Sequence, residues 1–226
     1  MHNSLIKVIF PVSGQKLPAD HSYFLYSSIS NLIPSSHNLP DDEKWLGIEM
    51  ISGNPFDKGV ILLPTRGAKL NLRIPADKFG EVLPLAGRRL DLGGHVIRLG
   101  IPTARPLMPS PILYSRIVTF RLEDRLMQPD AKDEILPAFL EIAKRHLAEM
   151  NVTADIEIPN EAVSRHRRII TIKGKKIVGF SLIAKNLNDE DSLKLQSIGL
   201  GGRRSMGCGI FNPVRKPYDY EVEGNG

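Results

Sequence analysis

The sequence has little or none of several features that define large protein classes. Of its 226 residues only one, Cys208, is a cysteine, which excludes a disulfide framework and a cysteine-rich zinc site. No apolar run approaches the roughly 20 residues that a membrane-spanning helix needs. The N-terminus, Met1–Ser4, carries no basic side chain, and Lys7 and Pro11 interrupt the apolar stretch behind it, so no signal peptide is expected. A cytoplasmic protein without contact to membranes is therefore predicted.

Acidic residues are scarce in one part of the chain. Residues 165–216 hold 12 Lys and Arg but only 3 Asp and Glu, whereas the rest of the chain holds 18 against 22. The formal net charge of +5 therefore arises from the last quarter of the sequence. This asymmetry is typical of a surface that binds a polyanion. A basic surface that binds no ligand is equally consistent with it.

Prolines cluster in the middle of the chain, where four fall within ten residues: Pro102, Pro106, Pro109 and Pro111. Because proline stiffens and extends such a segment, residues 105–111 are predicted to link an N-terminal domain, 1–104, to a C-terminal domain, 112–216. The acidic, glycine-rich end, 217–226, is predicted to be a flexible tail.

Hydrophobic periodicity predicts a similar order of elements in both halves. The first helix is the clearest: Leu25, Ile29 and Leu32 recur at helical spacing, and Asp20 is predicted to be the N-cap. Pro11 is predicted to end the first strand. The predicted strands lie at 3–10, 45–52, 58–64, 69–74, 94–101, 112–122, 152–158, 167–173, 176–184 and 208–213, and the predicted helices at 20–33, 75–84, 131–150 and 188–197. Each half thus reads roughly β-α-β-β-α-β, which predicts an α+β protein of two tandem ferredoxin-like domains.

The most specific segment runs from Gly199 to Gly209 and combines five glycines with two arginines. Backbone N–H groups in such a loop can surround phosphate oxygens, and guanidinium groups add charge and forked donors. The loop leads from a helix to a strand, the reverse of a nucleotide-binding loop, so no nucleotide cofactor is predicted. A tight connection with incidental arginines is the alternative. The RNA-binding candidates here are Gly199, Gly201, Gly202, Arg203, Arg204, Gly207 and Gly209, with Lys194 on the preceding helix.

A second basic feature is the predicted hairpin around Lys173-Gly174-Lys175. Alternation along its first strand places Arg167, Ile169, Thr171 and Lys173 on one face. Such a face could follow an RNA stem through its phosphates, because few aromatic residues are present for base stacking. An edge hairpin protected by lysines is the alternative. The candidate RNA contacts are Arg167, Arg168, Lys173, Lys175 and Lys176.

Several segments resemble a known family. Similarity is strongest over Asp191–Gln196 and Gly199–Phe211, and extends to Phe10–Gly14, Leu17–His21, Leu25–Tyr26 and Trp45–Ile48. These segments resemble the CRISPR-associated endoribonucleases of the RAMP superfamily that cleave repeats in precursor RNA, most closely the variant found with Myxan-subtype systems. The resemblance implies tandem ferredoxin-like domains, CRISPR repeat RNA as partner, and metal-independent cleavage that leaves a 2′,3′-cyclic phosphate and a 5′-hydroxyl. It also implies that other CRISPR effector subunits are potential partners, and it leaves homodimerisation open.

Metal-free RNA cleavage needs groups that move protons at neutral pH, and histidine is the side chain best suited to it. His37 follows the end of the first helix, where exposed carbonyls favour an imidazolium, and it matches the placement of the family's catalytic histidine. His21, in the first turn of the same helix, is the second candidate, and an active site without histidine is the third. Tyr23 is a further candidate to orient the 2′-hydroxyl, although tyrosines at helical spacing more often belong to the core.

Three other functions compete with the nuclease. The same fold without cleavage would be a structural subunit of a CRISPR effector. An unrelated RNA-binding protein is disfavoured by the glycine- and arginine-rich loop before a terminal strand. A metal-dependent nuclease is the weakest alternative, because Asp41-Asp42-Glu43 is the only tight carboxylate cluster of the first half and more readily solvates a loop. No metal is therefore predicted.

Overall fold

The computed structural model describes residues 4–36, 39–40, 43–123, 125, 133–159 and 167–214. Helices and mostly antiparallel strands alternate through this part of the chain, which confirms the predicted α+β class. Of the positions singled out above, His37, Asp41, Asp42 and the tail at 217–226 lie outside the described residues.

The N-terminal half is built on a six-stranded antiparallel sheet. Its strands lie in the order β3-β6-β1-β8-β7, β9 also pairs with β1, and β2, β5 and β4 form a separate small sheet. The elements are β1 (Leu5–Ser13), β2 (Lys16–Pro18), α1 (Ser22–Leu32), β3 (Gly47–Ile48), β4 (Asn54–Asp57), β5 (Val60–Leu62), β6 (Lys69–Pro75), α2 (Phe79–Val82), β7 (Arg89–Asp91), β8 (Val96–Leu99) and β9 (Thr103–Pro106).

Helix α1 packs into the core of this half. Leu25 and Ile29 are fully buried, as their spacing predicts, and belong to one cluster with Val8, Phe10 and Leu72. Val8 and Phe10 are alternate residues of β1 and so face the same side of the sheet. The helical spacing of one element and the two-residue period of the other therefore meet in a single apolar layer.

The C-terminal half contains a second antiparallel sheet, in the order β11-β13-β10-β14, and β12 also pairs with β13. Phe139 of the long helix packs against Phe180 of the sheet with ring centroids 5.0 Å apart. The elements are β10 (Leu113–Val118), α3 (Ile135–Glu149), β11 (Asp155–Glu157), β12 (Arg167–Ile172), β13 (Lys175–Lys185), α4 (Asp189–Ile198) and β14 (Asn212–Pro213).

The hairpin of β12 and β13 forms where it is predicted. Its two turn residues, Lys173 and Gly174, have φ angles of 48° and 78°. Positive φ at both central residues matches the twist of a two-residue hairpin, and glycine adopts it without a steric penalty.

Some predicted boundaries are wrong. Strand β1 continues through Pro11 to Ser13, because the Pro11 carbonyl accepts from the Gly100 N–H at 2.7 Å and the next N–H, that of Val12, bonds to Ala68 at 2.9 Å. The sheet therefore does without the N–H that proline lacks. The predicted linker at 105–111 begins inside β9, which pairs with β1. The last strand is shorter than the predicted 208–213, since only Asn212–Pro213 pairs.

The predicted N-cap of α1 is also wrong. His21 occupies the cap position, and no side chain caps the helix there. Asp20 instead accepts a hydrogen bond from Ser22 Oγ at 2.8 Å with one carboxylate oxygen and from the Thr171 backbone N–H at 2.5 Å with the other. Asp20 therefore joins the start of α1 to the hairpin of the C-terminal half.

A buried carboxylate organises the sheet face between the two halves. Glu49 accepts hydrogen bonds from Arg73 Nε at 3.0 Å, Lys7 Nζ at 3.2 Å and Asn71 Nδ2 at 3.0 Å. Burial would raise the pKa of Glu49, but the charges of Lys7 and Arg73 and the hydrogen bonds from Arg73 and Asn71 hold that pKa below its usual value. The carboxylate is therefore ionised and paired at neutral pH.

The same cations cross to the C-terminal half. Arg73 is 1% exposed, and its Nη2 donates to the Phe211 carbonyl at 3.1 Å and to Asn212 Oδ1 at 2.8 Å. Lys7 Nζ donates to the same Asn212 oxygen at 2.9 Å. Strand β14 is thus attached to β1 and β6 by partly buried, charge-assisted hydrogen bonds, which are stronger than bonds between neutral groups.

Replacing Glu49 by glutamine should destabilise the protein strongly, because it leaves the buried Arg73 charge without its counter-ion. We expect E49Q to lower the free energy of unfolding by about 3–5 kcal/mol. The matched control is E157Q, which breaks the half-exposed Glu157–Lys185 pair and should cost about 1 kcal/mol or less. Urea unfolding measures both, and equal small losses would contradict the role assigned to Glu49.

Candidate functional site

The glycine-rich loop, residues 199–209, connects α4 to β14 and packs onto the end of β10. Its N–H groups at Gly202 and Gly209 donate to the carbonyls of Thr119 at 3.2 Å and Ile117 at 2.7 Å. A side chain at Gly199 would collide with the carbonyl oxygen of Gly209. Glycine is therefore needed at this crossing for the loop's own packing, whatever ligand it binds.

The two arginines of the loop differ in their surroundings. Arg203 is exposed, adopts a left-handed φ of 65°, and donates from Nη1 to Thr119 Oγ1 at 3.3 Å. Arg204 Nε and Nη2 are buried and have no hydrogen-bond partner among the described residues. Burial, and then the charge of Arg73, lower the pKa of Arg204 to about 10. With that pKa the Arg204 guanidinium is charged at neutral pH, and it is the more buried of the two side chains.

The basic hairpin presents its charges as the alternation predicts. Arg167, Ile169 and Thr171 are exposed along β12, whereas Arg168 is half-buried on the opposite face. The remaining hairpin cations, Lys173, Lys175 and Lys176, are also exposed. The five predicted contacts therefore do not share one surface: Arg168 points away from Arg167, and Lys175, which pairs with Ile172, lies on the same face as Arg168.

Helix α1 brings the two basic features together. It contacts both the 3-10 turn of the glycine-rich loop, Arg204–Met206, and strand β12. These three elements come from both halves of the chain, and they define what we call the α1 junction: α1, the turn at 204–206 and β12. Lys194 lies outside it, half-buried on α4.

The C-terminal end of α1 continues into a 3-10 turn at Pro34–Ser36. Ser35 Oγ donates to Glu81 at 2.8 Å, and the Trp45 indole N–H donates to the Ser35 carbonyl at 3.4 Å. Two contacts therefore fix the backbone just before position 37, the position of the first histidine candidate. Tyr23 is half-buried in the first turn of α1, and Tyr26 packs against the core of the N-terminal half.

His21, the second histidine candidate, is completely buried. Its Nδ1 lies 2.8 Å from the Pro18 carbonyl, and its Nε2 accepts from the Ile51 backbone N–H at 3.0 Å. Only a neutral ring protonated at Nδ1 satisfies both contacts. Burial lowers the pKa of His21 to about 4. In this arrangement neither ring nitrogen is available for a proton transfer to a substrate.

Two further findings concern metal binding and membrane insertion. Among the described residues no group of His, Cys, Asp or Glu is arranged to hold a metal ion. No helix within that part of the chain is long and apolar enough to span a bilayer.

A cavity between the two sheets was missed by sequence reasoning. Its volume is about 340 Å³, and Lys7, Glu49, Asn71, Tyr114 and Arg116 contribute to its wall. These residues come from both halves and form no local motif. The cavity depends on how strands of the two sheets meet, which no local pattern of the sequence indicates.

The histidine geometry makes stability depend on pH. His21 has a pKa of about 4 when folded and about 6.5 when unfolded, so the unfolded chain binds more protons between these values. Its contribution is complete above pH 6.5 and is lost as the pH falls to 4, by about 3 kcal/mol in free energy of unfolding. H21Q should remove this slope, and the control H95Q, at a partly exposed turn position, should keep it. An unchanged slope in H21Q would contradict the buried neutral ring.

Comparisons with known proteins agree with this architecture. A protein-family model described as Cas6 Crispr matches residues 6–216. The chain is 36% identical over 208 residues to the CRISPR-associated endonuclease Cas6 of Myxococcus xanthus (strain DK1622), covering 92% of this chain and 81% of that protein. Among solved structures, a CRISPR-associated protein Cas6 matches with a TM-score of 0.64 at 16% identity, covering 93% of this chain and all 100% of that one. A Cas6-related protein of Pyrococcus furiosus matches with a TM-score of 0.61 at 13% identity, covering 94% and 99%. The resemblance inferred from the sequence is confirmed: the chain belongs to the Cas6 family.

Proposed function

We propose that this protein is a metal-independent endoribonuclease that cleaves CRISPR precursor RNA within its repeats. The observation that carries the proposal is the α1 junction, where two basic elements of the C-terminal half meet the helix that His37 follows. Membership of the Cas6 family supports the substrate class, and the Myxococcus xanthus relative is itself named an endonuclease.

The strand orders support a tandem ferredoxin-like fold. In the N-terminal half β1, β3, β6 and β8 lie in the order β3-β6-β1-β8, and in the C-terminal half β10, β11, β13 and β14 lie in the order β11-β13-β10-β14. Numbered within each half, both orders are 2-3-1-4, with a helix after the first and third strands. We interpret β2, β4, β5, β7, β9 and β12 as additions to two β-α-β-β-α-β units.

The proposed chemistry is an internal transesterification. The ribose 2′-oxygen loses its proton to a base and attacks the adjacent phosphorus, the bond from phosphorus to the 5′-oxygen breaks, and that oxygen takes up a proton. The products are a 2′,3′-cyclic phosphate and a 5′-hydroxyl. We assign the proton transfer to His37, with Tyr23 as a candidate to orient the 2′-hydroxyl. We assign Arg203, which is exposed in the loop, to a contact with a phosphate of the RNA backbone.

His21 is left with a structural role in this proposal, because both of its ring nitrogens are occupied. With His21 unavailable, cleavage depends on His37. If His37 does not act, the protein would bind RNA at the α1 junction without cleaving it, as a structural subunit of a CRISPR effector. The other proposed partners are further effector subunits and a second copy of the chain, and the proposed location is the cytoplasm.

The proposal is tested by incubating the protein with its cognate repeat RNA in EDTA and analysing the ends of the product. We expect one cut with a cyclic phosphate, and a cleavage rate about 10²–10⁴-fold lower in H37A. H146A is the control, because His146 packs edge-on against the Phe120 ring at 5.1 Å and lies on α3, outside the α1 junction. A cut that needs a divalent metal contradicts the proposed chemistry, and a cut that survives in H37A moves the proton transfer elsewhere.

The hairpin assignment makes a separate prediction about ionic strength. Removing two phosphate contacts in a K173A/K176A variant should weaken RNA binding and reduce the slope of log affinity against log salt by about 1.4–1.8. K144A/R145A removes two exposed cations from α3 and should leave the slope unchanged. Equal changes in both variants would mean that the hairpin has no special part in binding.

A further inference from the structure

The turn of the glycine-rich loop carries Arg204 to the paired residues Gly47 and Arg73 of β3 and β6, where a Cβ at Gly47 would lie 3.1 Å from Arg73 Cβ and 3.6 Å from Arg204 Nη2. Arg204 packs between two glycines: a Cβ at Gly47 would lie 3.6 Å from its Nη2, and one at Gly199 would lie 3.2 Å from its Nε. Gly47 belongs to β3 of the N-terminal half, so Arg204 extends from the loop across to that half. The charge of Arg73 acts on Arg204 there and lowers its pKa.

Arg73 and Arg204 differ in how far their charges and N–H groups are matched by counter-ions and hydrogen-bond acceptors. Arg73 has the Glu49 carboxylate and two further acceptors, the Phe211 carbonyl and Asn212 Oδ1, although its Nη1 is buried without a partner among the described residues. Arg204 forms no ion pair within the described part of the chain, and its buried Nε and Nη2 also lack acceptors there. Within the described part of the chain, the carboxylate that pairs with Arg73 is that of Glu49, which pairs with Lys7 as well. Three buried N–H-bearing nitrogens and a surplus of positive charge therefore meet at one place.

Such an arrangement destabilises the free protein. A buried charge without a counter-ion costs far more than a surface charge, and replacing it by an apolar side chain of similar size is often stabilising. Two glycines, Gly47 and Gly199, lie next to the guanidinium, and neither supplies an acceptor side chain or a negative charge. The arrangement becomes favourable when an anion supplies the missing charge and accepts the free N–H groups.

We propose that Arg204 is held in this repulsive position to receive one phosphate group of the bound RNA, which acts as the missing counter-ion between Arg204 and Arg73. The proposal rests on the RNA-binding function given above and makes it specific. It separates the two loop arginines: Arg203 is an ordinary surface contact, whereas Arg204 stores unfavourable electrostatic energy that phosphate binding releases. The turn at Arg204–Met206 contacts α1, so this phosphate would lie at the α1 junction.

The proposal predicts opposite effects on stability and on binding. R204M should raise the melting temperature of the RNA-free protein by roughly 3–8 °C, and it should weaken binding of the cognate repeat RNA about 10- to 100-fold, as expected for a charge-assisted contact. R203M, the matched control, should weaken RNA binding but shift the melting temperature by about 1 °C or less. R204Q, which also removes the charge, provides the same test if R204M does not fold.

The experiment measures thermal unfolding of the full chain alone, with inorganic phosphate, and with repeat RNA that carries a 2′-deoxyribose at the mapped cut, or unmodified RNA if no cut is found. RNA binding is measured in parallel. A higher melting temperature with weaker RNA binding in R204M or R204Q supports the proposal. A lower melting temperature in both variants overturns it, and so does a higher one with RNA affinity unchanged.

The measurement with inorganic phosphate distinguishes a failure of this proposal from a failure of the RNA-binding function on which it rests. If the wild-type protein binds no repeat RNA, the proposed function fails; stabilisation of the wild type but not R204M by inorganic phosphate would then support an anion site for a ligand other than RNA. If neither phosphate nor RNA separates the wild type from R204M, the anion site itself is excluded.

Discussion

The buried pairing of Glu49 with Arg73 is the interaction on which the relation between the two halves depends. Arg73 is held by Glu49 on one side and reaches Phe211 and Asn212 on the other. A buried ion pair adds little stability compared with an apolar pair of the same size, but removing one of its partners is costly. Arrangements of the chain that separate Glu49 from Arg73 are therefore strongly disfavoured. The paired arrangement keeps β14, and with it the glycine-rich loop, against β3 and α1.

The same constraint explains why a site can form from distant parts of the chain. The positive surplus is confined to residues 165–216, yet the helix that precedes His37 belongs to the other half. The hairpin reaches α1 through the Asp20–Thr171 hydrogen bond, and the loop reaches it through the turn at 204–206. The proposed RNA contacts and the proposed proton transfer are thus divided between the halves, and Arg204, at the junction between them, has two buried nitrogens without acceptors among the described residues.

Local patterns predicted local structure well. The Lys173-Gly174 turn, the alternation along β12 and the apolar stripe of α1 all depend on short-range geometry, and the structure confirms each. Pro11 and Asp20 were misjudged because long-range partners decide their roles: a neighbouring strand at Gly100, and the hairpin at Thr171. The environments of His21 and Arg204 could not be predicted, because both depend on burial. Burial depends on packing between elements that no spacing in the sequence reveals.

The most direct test is to find which part of the protein lies beside the RNA bond that is cleaved. Repeat RNA that carries 4-thiouridine beside the cleaved bond would be photo-crosslinked to the full chain, and the modified peptides would be identified by mass spectrometry. If the RNA is cleaved at the α1 junction, crosslinks are expected in the segment that follows α1 and in the loop at 199–209. Crosslinks confined to the wall of the cavity between the sheets, around Lys7 and Tyr114, would contradict cleavage at the α1 junction.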